Sequence, residues 1–99
     1  MIDREFTTGF IKLYALWRAS KGETFGVQIM DEMRALGFKV GPGSLYPILH
    51  KLLEEKDVTL TERLVGGKIR KCYRATPKGR KEAEEVIERL SFLLRKVFR

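Results

Sequence analysis

Residues 37–58 read GFKVGPGSLYPILHKLLEEKDV, and this stretch decides the fold. Pro42 suits the first position of a helix, where its missing N–H costs little. From there Leu45, Leu49, Leu52 and Leu53 recur at helical spacing, with Ile48 beside them. The opposite face holds Gly43, Pro47, His50 and Glu54, flanked by Ser44, Tyr46 and Lys51. Pro47 lies inside the helix, removes one backbone bond and is expected to bend or weaken the first turns. The leucine pattern continues past it, so the helix is kept.

Upstream, a second helix is expected from Thr24 to Leu36. Thr24 is placed as its cap, Phe25, Ile29, Met33 and Leu36 as its buried stripe, and Gly37 at a left-handed helix end. The short link between these two helices is compatible with a helix-turn-helix. Further back, a first helix is expected over about residues 3–20. Phe6, Phe10, Leu13 and Trp17 form one stripe on it, and Ile11, Tyr14, Ala15 and Leu16 make other sides apolar too. Such a helix has more to cover than one core.

Downstream, Val58, Leu60, Glu62 and Leu64 alternate with Thr59, Thr61, Arg63 and Val65. Gly66-Gly67 is a two-residue hairpin signal, because such turns need positive φ. The return strand KIRKCYRAT (residues 68–76) turns Tyr73 and Ala75 inward, with Arg70, Cys72 and Arg74 on the outer face and Lys68 and Lys71 near the tip. A last helix starts at Thr76-Pro77, a cap followed by a first-position proline, and runs to about Val97. Its stripe is Ala83, Val86, Ile87, Leu90, Leu93, Leu94 and Val97. Glu82, Glu84, Glu85 and Glu88 lie early and Arg95, Lys96 and Arg99 late, which complements the helix dipole.

The expected fold is therefore mainly α with a small β-hairpin wing, a winged helix-turn-helix in the order helix–helix–helix–strand–strand–helix. Residues 1–76 are assigned to the winged helix-turn-helix domain. Residues 77–99 are assigned to a C-terminal helix that packs with the first helix and dimerises. In so short a chain a second subunit is the natural cover for Phe6, Phe10, Trp17, Leu90, Leu93, Leu94 and Val97.

Charge locates the working surface. The 99 residues carry a net +7. Residues 1–40 hold six bases and five acids, residues 41–81 ten bases and four acids, and residues 82–99 four of each. A basic block between near-neutral flanks suits a polyanion; a solvated basic face without a partner is the plainer alternative. There is no apolar run long enough for a membrane span, and MIDREF lacks the pattern of a secretory signal. Cys72 is the single cysteine, so no internal disulfide or thiolate metal cluster can form. A cytoplasmic location without cofactor or metal is expected. No paired acids, activated nucleophile or phosphate loop points to an enzyme; GPGS (residues 41–44) lacks the lysine and spacing of a P-loop.

The stretch PGSLYPILHKLLEE (residues 42–55) resembles the PadR-like family of winged-helix transcription regulators. KCYRATPKG (residues 71–79) is similar to the same family, with Tyr73, Thr76 and Gly79 at its tyrosine, threonine and glycine positions. TFGVQIMDEM (residues 24–33) also looks like the family's second helix, with Gly26 as its glycine. Two positions depart from the pattern. Gly41 stands where serine is usual, and glycine replaces a serine cap at small cost. Asp57 stands where glycine is common, and Asp tolerates a left-handed backbone.

The resemblance implies a repressor of the short branch. It would dimerise through the first and last helices, bind an inverted-repeat operator in double-stranded DNA and release it on a small-molecule effector. It places the third helix in the major groove and the wing along the flanking backbone. The DNA-contact candidates are Lys39, Gly43, Ser44, Tyr46, Pro47, His50, Lys51, Lys68, Arg70 and Lys71. Ser44 and Tyr46 are candidates for phosphate contacts, and His50 and Lys51 for base edges or phosphates.

Each has a plainer rival. Tyr46 can pack its ring against the domain, and His50 can be a solvated surface residue; Cys72, outside that set, is a half-exposed structural residue or a redox switch. Trp17 is a candidate effector contact, or packs in the core or the dimer. A protein-interaction subunit and a nonspecific nucleic-acid binder remain as alternative functions.

Overall fold

A computed structural model of the chain describes residues 2–98, with side chains from residue 4 onward. The elements are α1 (Ile2–Ser20), β1 (Thr24–Phe25), α2 (Gly26–Ala35), α3 (Pro42–Glu54), β2 (Val58–Val65), β3 (Lys68–Ala75) and α4 (Pro77–Val97). The expected order stands, with one strand added ahead of the second helix. Arg99, placed at the basic end of the last helix, lies outside the described residues.

On α1 the spacing of Ile11, Ala15, Leu16 and Ala19 puts all four on one buried face. The aromatic stripe is the other side of this helix: Phe6 is exposed, and Phe10 and Trp17 are half-buried. The buried face meets Ile29 and Met33 of α2, Leu45, Leu49 and Leu52 of α3, and Val58 and Tyr73 of the hairpin to form the core.

The start of α2 differs from the sequence reading. Thr24 is not a helix cap; it pairs with Tyr73, and Phe25 pairs with Cys72, as a short third strand. Thr24 is fully buried, and its hydroxyl donates to Gln28 Oε1 at 2.9 Å. At the other end Leu36, expected in the buried stripe, is exposed. It follows the last helical residue, and the chain turns there. Gly37 N–H donates to the Arg34 carbonyl and Phe38 N–H to the Met33 carbonyl, with Gly37 at φ +95°. These two bonds form a Schellman motif, in which the left-handed residue favours glycine.

Helix α3 starts on Gly41, whose carbonyl accepts from Ser44 and Leu45, and runs through Pro47 to Glu54. Its end repeats the same motif: Lys56 N–H bonds the Leu53 carbonyl and Asp57 N–H the Leu52 carbonyl. The left-handed residue is Lys56 (φ +62°), not Asp57 as the family pattern suggested. Asp57 is buried instead, and its carboxylate accepts from Lys78 Nζ at 2.6 Å.

The sheet order is β1-β3-β2, antiparallel throughout. Gly66 and Gly67 at φ +56° and +79° make the expected two-residue turn. Tyr73 and Ala75 face the helices with Leu60 and Val58. Cys72, expected on an outer face, is 3% exposed. Its strand neighbour Phe25 belongs to the unforeseen β1, which covers that side of β3.

Thr76 caps α4 as expected, its Oγ1 accepting from Gly79 N–H at 3.0 Å. The same hydroxyl lies 2.7 Å from the Lys56 carbonyl, to which it donates, while Thr76 N–H donates to the Asp57 carbonyl at 3.0 Å. Gly79 and Ala83 press the first turns of α4 onto the domain. Farther along, Ile87 and Leu90 are half-buried, and Leu93, Leu94 and Val97 are exposed.

Candidate nucleic-acid interface

Because the leucines of α3 turn inward, its other residues are presented together. Gly43, Ser44, Tyr46, Pro47, His50 and Lys51 are all exposed on this helix, and Lys39 is exposed in the turn before it. Gly43 has nothing within 4 Å of where a Cβ would stand, so a partner can approach the backbone there. His50 Nε2 lies 3.9 Å from Glu54 Oε1, a solvent-exposed pair one turn apart that holds the imidazole only loosely.

Tyr46 packs its ring against the domain and also reaches solvent. A Cβ on Gly26 would stand 2.6 Å from the Tyr46 hydroxyl, so the ring lies across the start of α2 while 40% of the residue stays exposed. This explains the glycine at position 26, which no local spacing revealed. The neighbouring Tyr73 has its phenol pushed up by burial first and by Tyr46 second.

The wing divides its cations between two faces. Cross-strand partners share a face, so Lys68, Arg70 and Arg74 lie with Arg63, Thr61 and Cys72, while Lys71 lies with Glu62, Leu64 and Ile69. Lys68 and Lys71 are exposed. Arg70 is half-buried, with its guanidinium 5.3 Å from the Phe25 ring and its Nε without a hydrogen-bond partner. Arg63, which the sequence reading did not single out, is held by Glu23 at 2.6 Å. Alternation from Arg70 across the turn would have found it.

The residues assigned to the dimer interface line two apolar grooves and the far end of α4. Phe6, Phe10 and Leu90 line a groove of about 380 Å³ between α1 and α4. Phe10 and Trp17 line a second groove of about 430 Å³ with Leu36, Phe38 and Ile87. Leu93, Leu94 and Val97 continue the apolar surface along α4, joined by Phe92 and Phe98.

At the edge of the second groove, Tyr14 Oη donates to Glu32 Oε1 at 2.6 Å, and Arg18 Nε donates to the same carboxylate at 3.1 Å. Burial, and then the Glu32 carboxylate, push the Tyr14 phenol up to about 12 from an ordinary 10.0. The folded chain therefore holds this proton more tightly than the unfolded chain. The stability it contributes is complete below pH 10 and is lost as pH rises toward 12. A phenolate absorbance titration is expected to show a step near 12 that is absent from Tyr14→Phe. The same step retained in the Phe variant would contradict the assignment.

Among the described residues there is no group of three His, Cys, Asp or Glu side chains placed to hold a metal, and no helix long and apolar enough to cross a membrane. The family model for the transcriptional regulator PadR-like family matches residues 15–85. The transcriptional regulator Rv3488 of Mycobacterium tuberculosis is 37% identical over 94 residues, covering 95% of this chain and 88% of that protein. The crystal structure of the PadR-like transcriptional regulator BC4206 from Bacillus cereus superposes with a TM-score of 0.85 at 27% identity, over 94% of this chain and 92% of that one. Smu.1704 from Streptococcus mutans gives 0.78 at 26% identity, over 84% and 77%. The family match spans the helix-turn-helix, the wing and the first turns of α4, and the two solved structures share the architecture described above: the chain belongs to the PadR-like family of transcriptional regulators.

Proposed function

We propose that this regulator is a sequence-specific DNA-binding repressor, not an enzyme, that works in the cytoplasm as a homodimer on an inverted-repeat operator. The observation that carries this reading is the exposed face of α3. It presents Gly43, Ser44, Tyr46, Pro47, His50 and Lys51 side by side, with Lys39 before it and the cationic wing after it. Small residues admit the helix to the major groove, and His50 and Lys51 reach base edges or phosphates there. Lys68 and Lys71 neutralise phosphates beside the groove; Arg70 joins them by leaving its place over Phe25.

In this reading residues 77–99 form the dimerisation helix of a DNA-binding domain that ends at residue 76. The exposed Phe6, Leu93, Leu94 and Val97, with the half-buried Phe10, Trp17 and Leu90, supply the apolar surface for a second copy. Release by a small-molecule effector, with Trp17 as a contact, completes the proposal; the apolar groove beside Trp17 supports it.

The test is selection of random duplexes on the purified protein, followed by titration of the enriched sequences at two salt concentrations. An enriched inverted repeat, with affinity falling steeply with salt, is expected. Binding with a salt slope but no enriched sequence would replace the operator by nonspecific recognition. No binding at low salt would remove DNA as the partner of the apo-protein. Light scattering that gave a monomer at micromolar concentration would remove the dimer.

A further inference from the structure

The first turn of α4 carries a lysine that the helix itself does not call for. Lys78 is set against the positive end of the helix dipole, and no acid lies in that turn to offset it. Its side chain reaches instead to the end of α3. Nζ donates to the Asp57 carboxylate at 2.6 Å and to the Glu55 carbonyl at 3.1 Å. Asp57 is only 2% exposed. Glu82, one turn along α4, lies 3.6 Å from the same ammonium. With a glycine at position 57 this pair could not form. We infer that Lys78 and Asp57 are positioning residues for operator recognition: they fix the angle between α4 and α3, and thereby the spacing of the two half-sites that the dimer accepts.

The inference rests on the dimeric DNA-binding reading given above. In that reading α4 connects the recognition helix to the second copy. The apolar residues Leu93, Leu94 and Val97 lie at the opposite end of α4 from Lys78. At the near end, Thr76 bonds the Lys56 and Asp57 carbonyls. Both bonds start from one residue, so by themselves they make a pivot. Gly79 and Ala83 press on the domain beside it and set how closely α4 approaches. Lys78 adds a second point of attachment just past the last turn of α3, and two points define a direction. Desolvation leaves a buried ion pair little net stability, and its best attested use is to select one arrangement over others. The lever is long. With 21 residues at about 1.5 Å each, α4 measures roughly 30 Å. A tilt of roughly 6° at the junction would move the far end by about 3 Å, close to one base-pair step of about 3.4 Å.

Removing Lys78 alone would strand the buried carboxylate. The test is therefore the double variant Asp57→Asn with Lys78→Met, and Lys78→Arg is the conservative control. Each would be titrated by fluorescence anisotropy against the selected inverted repeat. The same repeat with its spacer one base pair longer or shorter, and a duplex with a single half-site, complete the set. Light scattering and thermal unfolding identify folded dimers at the working temperature. A repeat mis-spaced by one base pair is expected to cost the wild type about tenfold, comparable with a mismatched base pair, and the double variant about threefold. Half-site affinity is expected to be unchanged, and Lys78→Arg to keep most of the wild-type penalty. Should the double variant not fold, Asp57→Asn alone, which retains an acceptor for Lys78, carries the comparison with an intermediate penalty.

The full wild-type penalty in the double variant would overturn the inference and leave the pair a role in stability alone. So would a uniform loss on every duplex, the half-site included, or a folded variant that no longer dimerises. A wild-type protein indifferent to spacing would overturn it while leaving DNA binding intact. Failure of the wild-type chain to bind any duplex would overturn both.

Discussion

Alanine at position 79 is expected to destabilise the domain by about 3 kcal/mol, the upper part of the range for overpacking. A Cβ on Gly79 would stand 2.0 Å from the Asp57 carbonyl oxygen and 3.0 Å from Leu16 Cδ1. The first obstacle is backbone, so a rotamer change cannot relieve it. That carbonyl also accepts from Thr76 N–H, the bond that joins the end of α3 to the cap of α4. Relief therefore requires α4 to lift from the domain, which strains the Lys78–Asp57 pair and the Thr76 cap together. The gain in helix propensity, about 1 kcal/mol from glycine to alanine, offsets only part of this. In thermal unfolding the midpoint should fall by roughly 10–20 °C for a chain of this size. Gly9→Ala is the matched control. Nothing lies within 4 Å of its Cβ position, it is an exposed residue of α1, and it is expected to raise the midpoint slightly. Equal behaviour of the two variants would show that the contact between α4 and the α3 turn is loose.

The largest functional effect is expected from neutralising Lys39, Lys51, Lys68 and Lys71 together as glutamines. None of the four is in an ion pair among the described residues, so the fold loses nothing directly. Toward DNA, each lysine that meets a phosphate contributes about 0.9 to the slope of log affinity against log salt. In a dimer the four positions occur twice. The slope should flatten by several units and affinity near physiological salt should drop by roughly a thousandfold. The melting temperature should stay within the small range of surface substitutions. A slope equal to the wild type's, measured in the same buffer series, would mean that these lysines face away from the nucleic acid.

Most of the architecture was legible because its signals are local. The leucine spacing of α3, the paired glycines of the hairpin and the Thr-Pro start of α4 each specify an element within a few residues. Strand β1 was not legible. Two residues cannot show alternation, and Thr24 carries the side chain of a helix cap. What makes it a strand is Tyr73, far along the chain. The error about Cys72 follows from the same omission, since alternation alone turns it outward and only β1 covers it. The left-handed residue after α3 was misplaced by one because residue type favours Asp57, which tolerates that backbone, over Lys56; the hydrogen bonds of the turn, not residue type, decide between them.

The candidate site divides in the same way. The exposed face of α3 could be read from its leucine stripe. The seat of Tyr46 on Gly26 joins two helices and could not. The parking of Arg70 over Phe25 depends on β1 again.

That short strand also bears on the order in which the chain assembles. Gly66-Gly67 closes a hairpin whose partners are neighbours in sequence, and such contacts form within microseconds. Thr24 and Tyr73 are 49 positions apart, the difference of their numbers. Contacts this distant carry the loop-closure entropy of the whole intervening chain. Strand β1 is therefore expected to dock late, with the side of β3 that carries Cys72 open until it does. During synthesis and refolding the single thiol would then be within reach of oxidants and of other chains; in the finished domain it is shielded.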